Sequence, residues 1–266
     1  MTRFDRDTAP ESLGEGRYRV AFEPEWFILR GPNGGIVAAT IVRAMRAELG
    51  SDERALRSLA VHYPGAPAEG PAEVHVRVER AGRSLSTVSA RLEQDGRVMA
   101  LALAAFSVPF GAATEYDHAR PPDVPAPEAI EATPDRGVEP LPFVANFEFH
   151  PAIGPRPLSG EGDRPITGGW VRLAEERPLD EALVVAYADA WWPAPFSVVA
   201  RTGGAPTIDL TVHVRAPLPR EHDDVLIEVG SDVLRDGFFE EDVRLWARDG
   251  TLLAQARQLA LLLPAR

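Results

Sequence analysis

The chain has 266 residues and carries 40 acidic against 28 basic side chains, a formal net charge of −12. Every basic residue is Arg, and Lys and Cys are both absent. That excludes a Cys nucleophile, a Cys-ligated metal, a disulfide, and a Schiff-base or phosphate-loop Lys. The acidic balance argues against a nucleic-acid partner, which would leave a basic footprint. A composition that is 45% hydrophobic and 26% charged is that of an ordinary globular protein.

The opening stretch Met1-Thr2-Arg3-Phe4-Asp5-Arg6-Asp7 lacks the apolar core of a secretory signal. The longest unbroken apolar run, Val98 to Phe106, is far short of the roughly 20 residues of a membrane helix. A cytoplasmic setting without a membrane partner is expected.

The first strong element is a helix from Asn33 to Leu49, with Ile36, Val37, Ile41, Val42 and Met45 spread over nearly every face. A helix apolar all round must be wrapped, not laid on a surface. A series of strands follows. Leu59-Ala60-Val61-His62 opens it, Val74, Val76 and Val78 alternate with polar residues, and Leu85–Gln94 and Val98–Val108 flank an Asp95-Gly96 turn. Asp-Gly between alternating runs is a strong hairpin signal, because Gly accepts the positive φ that a type I′ turn demands.

Seven prolines then crowd residues 121 to 142 among acidic side chains. With few apolar residues this stretch is not expected to pack a core, and we read residues 112–140 as a linker between two units, 1–111 and 141–266. The second unit repeats the first. An apolar helix is predicted from about Asp180, a plausible N-cap, to Trp192, where Pro193 stops it. Strands follow at Leu210-Thr211-Val212-His213, Val225–Val229, Phe238–Arg248 and Leu252–Leu263, with Asp-Gly turns at 236–237 and 249–250. The two Val-His pairs lie 151 residues apart and the later Asp-Gly turns 154 apart. So close an offset marks a duplicated structural unit. A central helix enclosed by an antiparallel sheet, present twice, is a tandem (double) hotdog of the α+β class. Pairing the two sheets edge to edge into one continuous sheet would remove two exposed edges.

Two polar residues, Asp189 and Gln258, fit this pattern poorly, and one helix start offers donors. Asp189 sits among Ala186, Tyr187, Ala188, Ala190, Trp191 and Trp192, late in the second helix, and a buried carboxylate needs a partner or a task. A structural Asp bonded to a helix end or an Arg and a catalytic Asp both satisfy that need. Gln258 interrupts the apolar face formed in the last strand by Leu252, Ala254, Ala256, Ala260 and Leu262. Its buried amide needs partners, and a carboxylate such as Asp189 is a natural one, although backbone groups would also serve. Asn33-Gly34-Gly35 at the first helix start offers backbone N–H groups at the positive end of the helix dipole. The same glycines also permit close approach of a strand.

Gly31-Pro32-Asn33-Gly34-Gly35, Gly168-Gly169-Trp170-Val171-Arg172-Leu173, Ala188-Asp189-Ala190-Trp191, Pro206-Thr207-Ile208-Asp209-Leu210-Thr211-Val212-His213 and Gln258-Leu259-Ala260-Leu261 together resemble the medium-chain acyl-CoA thioesterase II group, a double-hotdog family, over nearly the whole chain. The resemblance implies hydrolysis of an acyl-CoA thioester without metal or other cofactor. It implies Asp189 as the base or water-orienting group, with Gln258 and Thr207 fixing the water. It also implies that the helix start of one unit faces the acid of the other, with backbone donors near Gly35 polarising the carbonyl.

Periodicity supports Thr207 less directly. Ile208, Leu210, Val212 and Val214 form the apolar face, so Thr207 needs a bulge or a position before the regular strand. Asp209 and Thr211 stay open as rivals. No Gly-x-Ser-x-Gly elbow, dinucleotide fingerprint or phosphate loop is present. The six His are scattered, and Asn146-Phe147-Glu148-Phe149-His150 lacks the Asp of a hotdog hydratase, which leaves a dehydratase as a weak alternative. A non-catalytic acyl-CoA binding module and an acyl-carrier-protein thioesterase are the stronger rivals, and a homodimer of double hotdogs is compatible with the family.

Overall fold

In the computed structural model, residues 1–130, 141–219 and 221–265 are described. A short helix α1 (Arg3–Asp7) precedes β1 (Glu11–Gly14) and β2 (Arg17–Phe22), which the sequence pattern did not reveal. Then come α2 (Gly34–Leu49), β3 (Ala55–His62), β4 (Gly70–Ala81), β5 (Leu85–Gln94) and β6 (Arg97–Ser107). The second unit has β7 (Phe147–Ile153), β8 (Ile166–Leu173), α3 (Glu181–Tyr187), β9 (Thr207–Val214), β10 (Val225–Gly230), β11 (Leu234–Arg235), β12 (Phe238–Trp246) and β13 (Leu252–Leu261).

All thirteen strands belong to one antiparallel sheet, ordered β1-β2-β4-β5-β6-β3-β9-β13-β12-β10-β8-β7, with β11 on β12. The expected edge-to-edge union is therefore the β3–β9 seam. Its register makes the duplication visible as symmetry. Ala60 pairs with Thr211, flanked by Leu59↔Val212 and Val61↔Leu210. The sequence offset of 151 maps Ala60 onto Thr211 and Val61 onto Val212. The repeat-equivalent strands thus pair about their own equivalent residues, the arrangement of a pseudo-two-fold axis.

α2 is capped by the Asn33 side chain, which accepts from the Ile36 N–H, and it ends at Gly50 in the left-handed region. It packs on α3 and on β4 and β5, and Val37, Ala38, Ile41 and Met45 are buried with Leu183, Val184 and Tyr187 in a single core spanning both units.

α3 is shorter than the predicted Asp180–Trp192. Asp180 is indeed its N-cap, but beyond Tyr187 the chain tightens. The Asp189 N–H donates to the Ala186 carbonyl and the Ala190 N–H to that of Tyr187, both three residues back. The Asp189 carbonyl accepts from the Asn33 side chain at 2.8 Å instead of from a further helical turn. Asp189 therefore lies just past the helix.

Two of the Asp-Gly turns have both residues at positive φ, Asp95-Gly96 at 51° and 71° and Asp236-Gly237 at 55° and 83°. In the third only Gly250 is positive, and the β12–β13 register shifts beside it. The described part of the Pro-rich stretch does find apolar partners. Ala119, Val124 and Ile130 cover Trp170, Leu226 and Trp246, and the Trp170 indole N–H donates to the Pro125 carbonyl at 2.9 Å. Val171, Ile227 and Leu245, their neighbours in sequence, belong to the main core, so by the strand pleat this strap crosses the opposite face of the sheet. Residues 131–140 of the expected linker lie outside the described residues.

Candidate active site

A cavity of about 400 Å³ opens where the start of α2 meets the turn after α3, and Asn33, Gly34, Asp189, Thr207 and Gln258 all line it. Four separate stretches of sequence from both halves meet there. The remaining wall is largely apolar and aromatic, including Phe143, Phe149, Trp191, Trp192 and Phe196. A mostly apolar pocket with a few convergent polar groups is the common form of a small-molecule site.

Asp189 is held at the N-terminus of α2. Its Oδ2 accepts from the Gly35 N–H at 2.9 Å and from Asn33 Nδ2 at 3.0 Å. Burial dominates and pushes its pKa up from an ordinary 3.8 to about 6, against the opposing pull of Gly35, Asn33, Gln258 and Gly34. A carboxyl so placed is ionised at neutral pH, yet remains basic enough to take a proton. The cross-unit pairing expected for Asn33-Gly34-Gly35 with Asp189 is what the geometry shows.

The two glycines serve different ends. A Cβ on Gly35 would lie 2.6 Å from the Ala186 carbonyl oxygen, so Gly35 lets α2 approach the α3 backbone. Its N–H donates to Asp189 and it does not line the cavity. Gly34 does line the cavity, and a Cβ there would sit 3.0 Å from Asp189 Oδ2.

Thr207 reaches the site by a bulge. In the β9–β13 ladder Asp209 pairs with Leu259 but Thr207 with Ala260, so Ile208 is the extra residue. The slip restores Thr207 to the side of Gln258, and its Oγ1 donates to Gln258 Oε1 at 3.0 Å. The rivals Asp209 and Thr211 do not line the cavity. The alternation predicted for the last strand holds from Ala254 onward, but the β12–β13 bulge puts Leu253 in the main core and Leu252, expected there, on the opposite face beside Trp246. Ala254, Ala256, Gln258 and Ala260 are buried, whereas Gln255 and Arg257 are exposed.

Two further residues escaped the sequence reading. Glu241, opposite Gln258 in the β12–β13 ladder, is 1% exposed. Its Oε2 accepts from Gln258 Nε2 and its Oε1 from the Ala194 N–H. Burial is the largest influence and pushes its pKa up to about 8, while both hydrogen bonds pull it down. The signal was present: Glu241 breaks the apolar face of Phe239, Val243 and Leu245 just as Gln258 breaks its own. Tyr63 donates from its OH to the Gly34 carbonyl at 2.9 Å. It lies beyond the end of β3, where no periodicity points to it. Burial, with Asp189 and Asp209 nearby, raises its pKa well above the ordinary value.

The profile of the acyl-CoA thioesterase N-terminal domain matches residues 22–107, and that of the acyl-CoA thioesterase C-terminal domain matches residues 121–262. A conserved protein of unknown function with a hot dog fold from Alicyclobacillus acidocaldarius is 26% identical, with 98% of each chain covered and a TM-score of 0.89. A thioesterase II candidate from Thermobifida fusca is 29% identical over 98% of each chain, with a TM-score of 0.84. An uncharacterized protein of Mycobacterium tuberculosis is 25% identical over 89% of this chain and 87% of its own. Among the described residues no helix is long and apolar enough to cross a membrane.

Proposed function

Because the chain belongs to the acyl-CoA thioesterase family, whose two domain profiles together span most of its length, we propose that it hydrolyses acyl-CoA thioesters to the free acid and CoA by direct attack of water. The observation that carries this reading is the meeting of Asp189, Gln258 and Thr207 on the wall of one largely apolar cavity. The acyl chain would lie along the aromatic wall, with the thioester carbon beside the polar corner.

In this scheme Asp189 takes a proton from water as the water oxygen bonds to the carbonyl carbon. Gln258 and Thr207 orient that water, and Gly34, with the positive end of α2 behind it, faces the oxygen that gains charge. Collapse of the tetrahedral intermediate breaks the C–S bond, and the proton held by Asp189 passes to the departing thiolate. Water attacks directly, so no acyl-enzyme forms and no resident cofactor enters the scheme.

Turnover of a panel of acyl-CoA esters of graded length tests this, with thiol release as the readout. Release that depends on Asp189 supports the reading. Tight binding of the panel without release would replace it with an acyl-CoA binding module, and preference for carrier-linked acyl groups would move the substrate to an acyl carrier protein.

A further inference from the structure

We propose that Glu241 is a positioning residue that fixes the amide orientation of Gln258. This rests on the hydrolytic reading above and deepens it. An amide side chain has distinct ends, a nitrogen with two hydrogens to donate and an oxygen that only accepts. The oxygen of Gln258 accepts from Thr207, but a hydroxyl both donates and accepts, so Thr207 would satisfy either orientation. Once ionised, above about pH 8, the Glu241 carboxylate only accepts. Glu241 Oε2 therefore draws the nitrogen of Gln258 to itself, leaving the second N–H hydrogen of that nitrogen free to face the cavity that Gln258 and Asp189 both line.

Glu241 is itself prevented from turning. Its other oxygen is held by the backbone N–H of Ala194, a fully buried residue in the segment that also carries Trp191, Trp192 and Phe196 on the cavity wall. Because Glu241 and Gln258 are direct cross-strand partners, the contact is set by the sheet register and not by a mobile loop. A carboxylate with 1% exposure is expensive to keep, and a merely structural link to Ala194 would be met by an amide. The need for an acceptor at both ends is what an amide cannot meet.

Glu241→Gln isolates that need. The new side chain keeps its oxygen on the Ala194 N–H and so presents its NH₂ to Gln258. Gln258 must then turn over, giving its oxygen to residue 241 and its nitrogen to Thr207, and the amide that meets the water beside Asp189 is reversed. Assayed above about pH 8, where Glu241 is ionised, a good acyl-CoA substrate should show a fall in kcat of about tenfold to a hundredfold, with KM nearly unchanged and no loss of melting temperature. A second readout is independent of activity: the side-chain amide resonances of Gln258, assigned by their disappearance in Gln258→Ala, should shift and lose hydrogen-exchange protection in Glu241→Gln. Wild-type kcat in a folded Glu241→Gln overturns the positioning role, as do unchanged Gln258 resonances. If the wild-type protein hydrolyses no acyl-CoA, the proposed function fails instead, and the resonances alone decide the role of Glu241.

Discussion

Asp189 Oδ2 lies 2.9 Å from the backbone nitrogen of Gly35, a residue 154 positions earlier and in the other structural unit. The bond makes the acid of the second unit a ligand of the first unit's helix terminus. The structural and catalytic readings of Asp189 thus meet in one contact, because the N–H that anchors the carboxylate also helps keep it ionised against the desolvation of its surroundings.

Asp189→Asn is nearly isosteric and keeps an oxygen for Gly35. It should lower kcat by about 10²-fold or more, the low end of a general base's contribution, with KM nearly unchanged. Because Asp189 and Gln258 would act on one water, the Asp189→Asn/Gln258→Ala double variant should be less impaired than the product of the single effects. Steady-state kinetics on the best ester, with a thermal melt of each variant, checks both statements. Wild-type turnover in Asp189→Asn would remove this residue from the mechanism.

The neighbouring glycines should fail in different ways. Gly34→Ala places a methyl 3.0 Å from Asp189 Oδ2, so turnover should drop by about tenfold or more while the fold persists. Gly35→Ala drives a methyl to 2.6 Å from the Ala186 backbone oxygen, where only separation of α2 from α3 relieves it. That overpacking should cost about 1–3 kcal/mol of stability, visible as a lower urea midpoint.

The raised pKa of Asp189 has consequences of opposite sign for activity and stability. The base must be ionised, so kcat/KM, which reports the free enzyme, should rise with pH through a midpoint near 6. Folding binds a proton more tightly than the unfolded chain does, so this group's stabilising contribution is present below 3.8 and lost as pH rises through about 6. Glu241 acts in the same direction between 4.5 and about 8. Melting temperatures measured from pH 4 to pH 9 should therefore show Glu241→Gln gaining on the wild type as pH rises. A gain on acidification would contradict the sign.

The seam predicts how the halves behave alone. Residues 1–115 would expose β3, whose Ser58 to His62 pair with β9 in the whole chain, and would strip α2 of its packing against α3. An open edge of this kind recruits other chains. By size-exclusion chromatography the fragment should associate or aggregate. A monomeric fragment that unfolds cooperatively would refute this dependence.

Much of the architecture was legible from periodicity, because that signal is local. Strands β3 to β6 and β9, β10, β12 and β13 follow from alternation and Asp-Gly turns, α2 from its apolar surface, and the duplication from a constant offset. β1 and β2 were not, although Gly14 and Gly16 mark their turn, because β1 is four mostly exposed residues without an alternating apolar pattern. The end of α3 was also hidden, because the Asp189 carbonyl leaves the helix for an Asn33 side chain that sequence cannot bring near.

At the site, the sequence by itself singled out Asp189 and Gln258, for polar groups on apolar faces stand out wherever the faces can be drawn. The same rule would have exposed Glu241. Only the tertiary structure decided the rest. The bulge at Ile208 that turns Thr207 inward depends on the β9–β13 register, which is a relation between strands. The division of labour between Gly34 and Gly35 depends on which one meets Ala186 and which one faces the cavity. Those are distances between residues remote in the chain, set by packing two units about one axis, and no local pattern encodes them.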